Sequence, residues 1–286
     1  MKLLIEPVSK NNLYLDKVDG IILPLDDYSV ESNVSFTLDE IRDITSNNNS
    51  LEVFVKLNKN IFNHEIEELK NILIELDKIN VTGIFFYDLS VLELKRELNL
   101  SVDLVWNQTH MVNNYKTCNY YNSRGVKYAL LGKEITLDEI KDIISKSSIT
   151  SMVEVISKPS VAFSKRKLIT NYYKNLGMDT KSEFIALEKV TNTKYILKEN
   201  NDGTTFYLDV ITNGTSVIKD LYDCDCKYII FREFGLEDIF EELITDTKDY
   251  INSGCSDTNY LTKYEKLGDS TNFFFKETIY RVKKNG

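Results

Sequence analysis

The chain has 286 residues, of which 42% are hydrophobic, and it carries a formal net charge of -9 at pH 7. This composition can fill the core of one barrel-sized domain or of two smaller ones. The acidic balance argues against a chain coated with cations for general nucleic-acid binding, although a local basic patch stays compatible with it. Four cysteines, and an N-terminus whose apolar run is too short for secretion or membrane insertion, predict a cytoplasmic protein with reduced thiols.

Short apolar runs alternate with amphipathic, helix-like segments through the first half of the chain. Seven such pairs occur, and their apolar runs begin at Leu3, Gly20, Leu51, Gly83, Ser101, Val126 and Met152. Strands that alternate with helices form parallel sheets, and right-handed crossovers favour a closed barrel or an open doubly wound sheet.

The alternation stops after Tyr173 and returns once. Three strand-like runs separated by turn signals lie between Phe184 and Ile211, and an eighth apolar run begins at Lys227. We therefore predict a TIM-like (β/α)8 barrel with a small antiparallel β insertion between strands 7 and 8. The predicted boundaries are residues 1–173 for the first seven units, 174–215 for the inserted β subdomain, 216–252 for the last unit and 253–286 for a tail that joins the β subdomain.

Few residues carry a recognisable chemical motif. Cys224 and Cys226 resemble half of a soft-metal site, but no second pair accompanies them, so plain buried thiols are favoured. His64 and His110 have neither metalloprotease spacing nor the order of a catalytic triad. The sequence predicts no metal site, and it contains no glycine-rich motif for nucleotide phosphates.

Polar residues follow most of the predicted strands. In a barrel of this type these positions surround the functional opening, but they must also be polar because the strands meet water there. A ring of this kind could hold a small anionic or amide-bearing ligand. Its members are Glu6, Asp26, Lys56, Asp88, Asn107, Gln108, Lys133, Ser157, Lys158, Arg232 and Glu233.

Two further segments are unusual in composition. Residues 106–121 (WNQTHMVNNYKTCNYY) are dense in amides and aromatic rings, which can stack on and hydrogen-bond to unpaired bases, although a buried helix would look similar. The segment Lys165–Lys167 places three cations together beyond the seventh strand, where either phosphate contacts or a solvated loop would account for them.

Three stretches resemble the peptidase U32, or collagenase-like, family: WNQTHMVNNYKTCNYYNSRGVKYALLGKEITLDEI, KPSVAFSKRKLITNYY and FFFKETIYRVKK. They are most similar to its short, single-unit branch, which occurs beside a longer paralogue. The resemblance implies a TIM-like barrel. It also implies either peptidase activity or a part in hydroxylating RNA bases or quinones, including 5-hydroxyuridine formation at the tRNA wobble position.

The chain departs from the family pattern at the residues that carry an iron-sulfur cluster. That pattern resembles HGxLCxxxSGRC, whereas the corresponding positions here read Ile156, Ser157, Ser160, Ser164 and Lys165–Lys167. Hydroxyl and ammonium groups cannot replace thiolates, so no cofactor is expected. The family's strand-eight KIEG-like signature aligns loosely with Arg232 and Phe234, which displaces its carboxylate to Glu233 or loses it.

The resemblance thus implies a cluster-free accessory subunit in tRNA wobble-uridine hydroxylation. Its partners would be a longer, cysteine-bearing paralogue and tRNA, with no membrane partner. The residues expected to bind substrate are Asn107, Gln108, Ser164, Lys165, Arg166, Lys167, Asn171 and Arg232. The sequence identifies no catalytic residue and leaves open whether the chain is an enzyme. The alternatives are a collagenase-like peptidase and a non-catalytic interaction module.

Overall fold

The structure, a computed structural model, describes residues 1–108, 110–181, 183–268, 270–271 and 273–276. The strands are β1 (Lys2–Glu6), β2 (Gly20–Pro24), β3 (Glu52–Leu57), β4 (Gly83–Phe86), β5 (Leu104–Trp106), β6 (Tyr128–Leu130), β7 (Thr150–Ser157), β8 (Ser160–Ser164), β9 (Glu183–Glu188), β10 (Thr193–Asn200), β11 (Gly203–Leu208), β12 (Thr212–Asn213) and β13 (Tyr228–Arg232). The helices are α1 (Leu38–Asn47), α2 (Ile66–Ile79), α3 (Leu89–Glu97), α4 (Tyr115–Ser123), α5 (Leu137–Lys146), α6 (Leu168–Leu176), α7 (Ile218–Asp223), α8 (Phe240–Asn252) and α9 (Thr258–Tyr264). None of these helices combines the length and apolar character needed to cross a membrane.

Eight parallel strands close into a barrel. Strands β1 to β6 pair in chain order, β6 pairs with β7, and β13 lies between β7 and β1 and completes the ring. The last strand reaches this position after a long excursion that contains a second, antiparallel sheet. The predicted TIM-like barrel with an antiparallel insertion between strands 7 and 8 is confirmed.

The barrel strands are buried on both faces, as parallel strands covered by helices must be. Outward side chains pack under the helices. Alternate side chains point into the barrel and form a hydrophobic interior layer: Leu4, Ile22, Phe54, Phe85, Val105, Tyr128, Leu130, Met152, Tyr228 and Ile230. Phe54 lies at its centre and makes edge-to-face contacts with Phe85, Tyr128 and Tyr228 at centroid distances of 5.8, 5.7 and 6.0 Å. The barrel is therefore a packed core and not a pore.

The inserted sheet has the strand order β8-β11-β10-β9. Its first strand begins at Ser160, ahead of the range 174–215 predicted for the insertion. Helix α6 covers one face of this sheet, where Ile169 and Tyr173 pack against Leu197. The turn before β11 needs Gly203, which has φ +145° and whose added Cβ would lie 2.1 Å from a backbone oxygen.

Past the barrel, α9 returns to α8. Tyr260 stacks on Tyr250 at 4.3 Å with an interplanar angle of 12°. A single β-bridge then joins Ser270 to Thr212, the first residue of β12. The tail predicted to join the β subdomain includes residues 277–286, which lie outside the described residues.

We expect the barrel to depend on the ring of Phe54. The substitution Phe54→Ala should lower the free energy of unfolding by about 3–5 kcal/mol, because the surrounding rings cannot collapse into the cavity that it leaves. Urea unfolding would measure the loss. Val190→Ala, at a side chain that is 92% exposed, is the control and should change stability by less than about 0.5 kcal/mol. A loss below about 1 kcal/mol for Phe54→Ala would contradict the packing described here.

Candidate functional site

A layer of charged side chains lies directly above the apolar interior, at the carboxyl ends of the barrel strands. Strand side chains alternate with a period of two, so residues two positions apart point to the same face. In four barrel strands, the residue two positions after an interior apolar side chain is charged. These charges are Glu6 of β1, Lys56 of β3, Glu154 of β7 and Arg232 of β13. We call this set, together with Lys133 beyond β6, the charged layer.

The charges of this layer are joined in one chain of ion pairs. Lys56 Nζ lies 2.7 Å from a carboxylate oxygen of Glu6. Arg232 donates to Glu6 through one guanidinium nitrogen and to Glu154 through Nε at 2.6 Å. Lys133 Nζ reaches the other oxygen of Glu154 at 2.7 Å. Lys56 is 1% exposed and Glu154 3%, so each charge depends on its neighbours for compensation.

Burial and neighbouring charges shift the pKa values of three members of the charged layer. Burial raises the pKa of Glu154, but the attraction of Arg232 and Lys133 outweighs it and leaves that pKa well below its usual range. Burial likewise acts to lower the pKa of Arg232, and the two carboxylates overcome it and raise that pKa. The pKa of Lys56 is lowered because burial prevails over its attraction to Glu6. Glu154 and Arg232 are therefore fixed charges at neutral pH.

Two cavities open above this layer, in the mouth of the barrel, where the inserted sheet approaches. The inner cavity has a volume of about 20 Å³ and is bounded by Arg232, Lys158 and Tyr207. The outer cavity has a volume of about 450 Å³. Its wall contains the rings of Tyr87, His110, Phe163 and Phe273, the amides of Asn58, Asn60 and Asn107, and the cations Lys59 and Lys133. A pocket with these groups suits a planar ligand that also forms hydrogen bonds.

Two of the predicted substrate-binding residues lie in these cavities. Asn107 borders the outer cavity and Arg232 the inner one. Gln108 has a supporting position, since it accepts a hydrogen bond from Trp106 Nε1 at 3.0 Å and donates one to the carbonyl of Tyr87 at 2.6 Å. Lys165 lies at the rim, where it donates to the carbonyl of Asn60 at 3.3 Å.

The remaining predicted substrate-binding residues lie around the start of α6. The hydroxyl of Ser164 accepts from the backbone of Arg166 at 3.2 Å. Lys167 borders a separate depression beside Glu199, and Asn171 is exposed on the helix. The structure does not bring these four residues into the mouth with Arg232.

Several members of the predicted polar ring have structural positions. Asp88 caps α3 by accepting from Ser90 at 2.9 Å and also accepts from the backbone of Ile61. Glu233 accepts from the backbone of Val8 and from the hydroxyl of Tyr14, both at 2.7 Å. Because Tyr14 belongs to the core under the helices, Glu233 braces the loop after β1.

Sequence reasoning missed several residues of the mouth, among them Glu154, Glu31 and Tyr207. Glu154 could have been found, because it lies two positions after Met152 on the inward face of the same strand. Glu31 has φ +58° and borders both cavities, and Tyr207 comes from the inserted sheet. No local pattern marks either residue, because their place in the mouth depends on how distant loops fold over the barrel.

The cysteines lie away from the mouth. Cys118, Cys226 and Cys255 are buried in the core under the helices, and Cys224 packs against that core. Burial raises the pKa of Cys118 to about 11 and that of Cys226 to about 12. Within the described residues, no cluster of three or more His, Cys, Asp or Glu side chains could hold a metal ion.

An eight-stranded parallel barrel with a buried charged layer at its carboxyl end and a β insertion over its mouth is a TIM-barrel protein with its candidate site in the usual place. Residues 10–183 match Peptidase family U32. The chain belongs to that family.

Two curated relatives come from Bacillus subtilis (strain 168). The tRNA hydroxylation protein P2 is 27% identical over 253 residues, which are 80% of this chain and 81% of that protein. The tRNA hydroxylation protein P1 is 23% identical over 157 residues, which are 54% of this chain and 37% of that longer protein. Among solved structures, the U32 peptidase Mk0906 aligns with a TM-score of 0.50 and 14% identity over 81% of this chain and 92% of that one, which shows a shared fold.

We expect Glu154→Gln to be strongly destabilising. The substitution leaves Arg232 and Lys133 facing a neutral amide, and breaking a buried ion pair costs about 3–5 kcal/mol. Urea unfolding at pH 7 would measure this loss. Glu93→Gln removes one exposed partner of Arg96 and should change the free energy of unfolding by less than about 0.5 kcal/mol. Equal effects of the two substitutions would show that the charged layer is not held as described.

The difference in unfolding free energy between the wild type and Glu154→Gln should change with pH in one direction. Because the pKa of Glu154 is lower in the folded chain than in the unfolded one, its ionised form stabilises the fold fully above the unfolded value of about 4.3. That contribution declines as the pH falls toward the folded value. The difference in unfolding free energy between the wild type and Glu154→Gln should therefore narrow by about 1–2 kcal/mol between pH 6 and pH 3. A difference that stays constant over this interval would contradict the assignment.

Proposed function

We propose that this protein acts in tRNA modification, as a subunit that helps to form 5-hydroxyuridine at the wobble position together with a longer, cysteine-bearing paralogue. The observation that carries the proposal is the similarity to tRNA hydroxylation protein P2, which extends over 80% of this chain and 81% of that protein. The second relative, tRNA hydroxylation protein P1, is a longer protein, as the proposed partner would be.

The mouth supports a role in holding substrate. Its outer cavity combines aromatic rings with amides and cations, the groups that stack on unpaired bases and hydrogen-bond to their edges. The segment Lys165–Lys167 is exposed, and Lys165 at its start lies at the rim of this cavity, so the segment would contact the phosphates of the same RNA. The ring of Phe62 orients Lys165 at the rim, since the Lys165 ammonium group lies 3.6 Å from the centroid of that ring.

The side chains available as cluster ligands support different roles for the two subunits. Ser157, Ser160 and Ser164 stand where the cluster-bearing pattern has its conserved segment, and hydroxyls are not cluster ligands. The cysteines in the described part of the chain are buried or half-buried among apolar side chains. We therefore propose that any iron-sulfur cluster belongs to the paralogue and that this chain contributes substrate binding.

The family name also suggests peptidase chemistry, which these residues support less well. His64 stacks on Phe62 and is exposed outside the mouth, whereas His110 borders the outer cavity. No hydrogen bond joins either imidazole to a serine, threonine or cysteine side chain among the described residues, so these residues show no nucleophile activated by histidine. Cleavage of gelatin by the purified chain alone would favour the peptidase alternative.

Deleting the gene tests the proposal. Mass spectrometry of tRNA from the deletion strain should show loss of 5-hydroxyuridine-derived nucleosides at the wobble position, and the wild-type gene should restore them. The protein purified under anaerobic conditions should carry the paralogue with it, with iron and acid-labile sulfide in the paralogue alone. Unchanged tRNA in the deletion strain would refute the proposed function.

The basic segment can be tested on the purified complex of both subunits. Replacing all three residues of Lys165–Lys167 with Gln should reduce the slope of log affinity against log salt by up to about three, because each phosphate contact contributes about one. The matched control removes three exposed charges elsewhere, with Lys78→Gln, Arg96→Gln and Lys219→Gln together. An equal effect of both triple variants on tRNA binding would assign no specific role to the segment.

A further inference from the structure

The charges around the inner cavity are balanced. Its wall contains the cations Lys133, Lys158 and Arg232 and the carboxylates Glu6 and Glu31. With their ion-pair partners Lys56, Glu154 and Asp209, there are four charges of each sign. Lys158, which lies outside the charged layer, is paired with Asp209 at 2.9 Å. A ligand with a net charge would upset this balance in a buried place, so the cavity suits a neutral group.

One buried hydroxyl at this cavity has no hydrogen-bond acceptor. The side chain of Tyr207 is only 4% exposed, and its hydroxyl donates no hydrogen bond to the described residues. Burial raises the pKa of Tyr207, and the nearby Glu31 and Glu6 raise it further. The neighbouring Thr205 acts to lower this pKa as a hydrogen-bond donor but does not outweigh them, so the phenol keeps its proton. A buried donor without an acceptor is costly, and such groups in native proteins often mark the place of a water or a ligand.

The size of the inner cavity limits what can reach this hydroxyl. A volume of about 20 Å³ admits one water-sized group. A single carbonyl oxygen fits this space, whereas a carboxylate or phosphate brings further oxygens and a charge. The size and the charge balance therefore favour the same neutral oxygen acceptor.

The outer cavity supplies space for the rest of such a ligand. It shares Glu31, Lys133 and Ser160 with the inner cavity, so the two are adjacent. Its volume of about 450 Å³ accommodates a planar ring between aromatic walls such as Tyr87. The amide of Asn107 borders this space, and no side-chain hydrogen bond of Asn107 to another described residue occupies it.

We propose that the mouth binds a neutral nucleobase with an exocyclic carbonyl, of the uracil class, whose oxygen enters the inner cavity and accepts a hydrogen bond from Tyr207. The ring would lie in the outer cavity beside Tyr87 and Asn107. This inference rests on the proposed function for its source of the base, an unpaired nucleotide of tRNA. Adenine lacks the carbonyl, and a ring with a carboxylate carries the wrong charge, so both should be rejected.

Titration of the purified full-length chain with free bases tests this site directly, with ligand-observed NMR as the readout. Uracil should bind roughly tenfold more tightly than adenine and than orotate, which is the uracil ring with a carboxylate. Tyr207→Phe should weaken uracil binding roughly fivefold and reduce the preference over adenine to roughly twofold. Tyr222→Phe, at a ring on α7 that is 38% exposed, is the matched control and should bind like the wild type.

Stability measurements separate loss of the ligand contact from loss of the fold. The hydroxyl of Tyr207 donates to no described residue, so Tyr207→Phe should unfold at the same urea concentration as the wild type or at a higher one. Failure of wild-type protein to bind uracil, equal binding of uracil and orotate, or unchanged binding by Tyr207→Phe would each overturn the proposal. The inner cavity would then hold only a buried water.

The deletion strain distinguishes this inference from the proposed function. If deletion abolishes the modification, a gene that carries Tyr207→Phe should restore it more slowly than the wild-type gene. Full restoration by this variant would refute the role of Tyr207 but not the proposed function. If deletion leaves tRNA unchanged, the proposed function fails, and the base titration still decides whether the mouth recognises a carbonyl-bearing base.

Discussion

The buried charged layer is the constraint on which the site depends. Because side chains alternate along a strand, a slip of one residue in β1, β7 or β13 would turn Glu6, Glu154 or Arg232 away from its partners. Arg232 joins carboxylates from the first and seventh strands and so fixes the register at the point where the barrel closes. The same ion pairs that specify closure therefore set the floor of the mouth.

The inserted sheet is fastened to this floor at its base. The chain leaves β7 through Lys158 and Pro159, and both residues bond to the chain as it returns from β11, Lys158 to Asp209 and the carbonyl of Pro159 to the backbone of Leu208 at 2.9 Å. Gly235, which has φ +82°, leaves room for the side chain of Lys158, because a Cβ at this position would lie 2.7 Å from Lys158 Cε. This fastening places Tyr207 over the barrel.

Sequence periodicity was sufficient for the barrel and for part of its mouth. Strand alternation predicted eight strands and placed Asn107 and Arg232 at strand ends, where the structure has them. Composition was a weaker guide, since Trp106 is fully buried and stacks on Tyr121 at 3.9 Å instead of facing a ligand. Tyr207 could not be predicted, because its position depends on long-range pairing within the insertion and on the fastening at Lys158.

The serines that follow β7 have a structural part in the inserted sheet. Ser160 and Ser164 lie at the two ends of β8, whose register sets Ser160 opposite Tyr207 and Ser164 opposite Thr204. Because β8 follows β7 after only two residues, this ladder places β11 directly beside the end of a barrel strand. The inserted sheet thereby contributes both Ser160 and Tyr207 to the wall of the inner cavity.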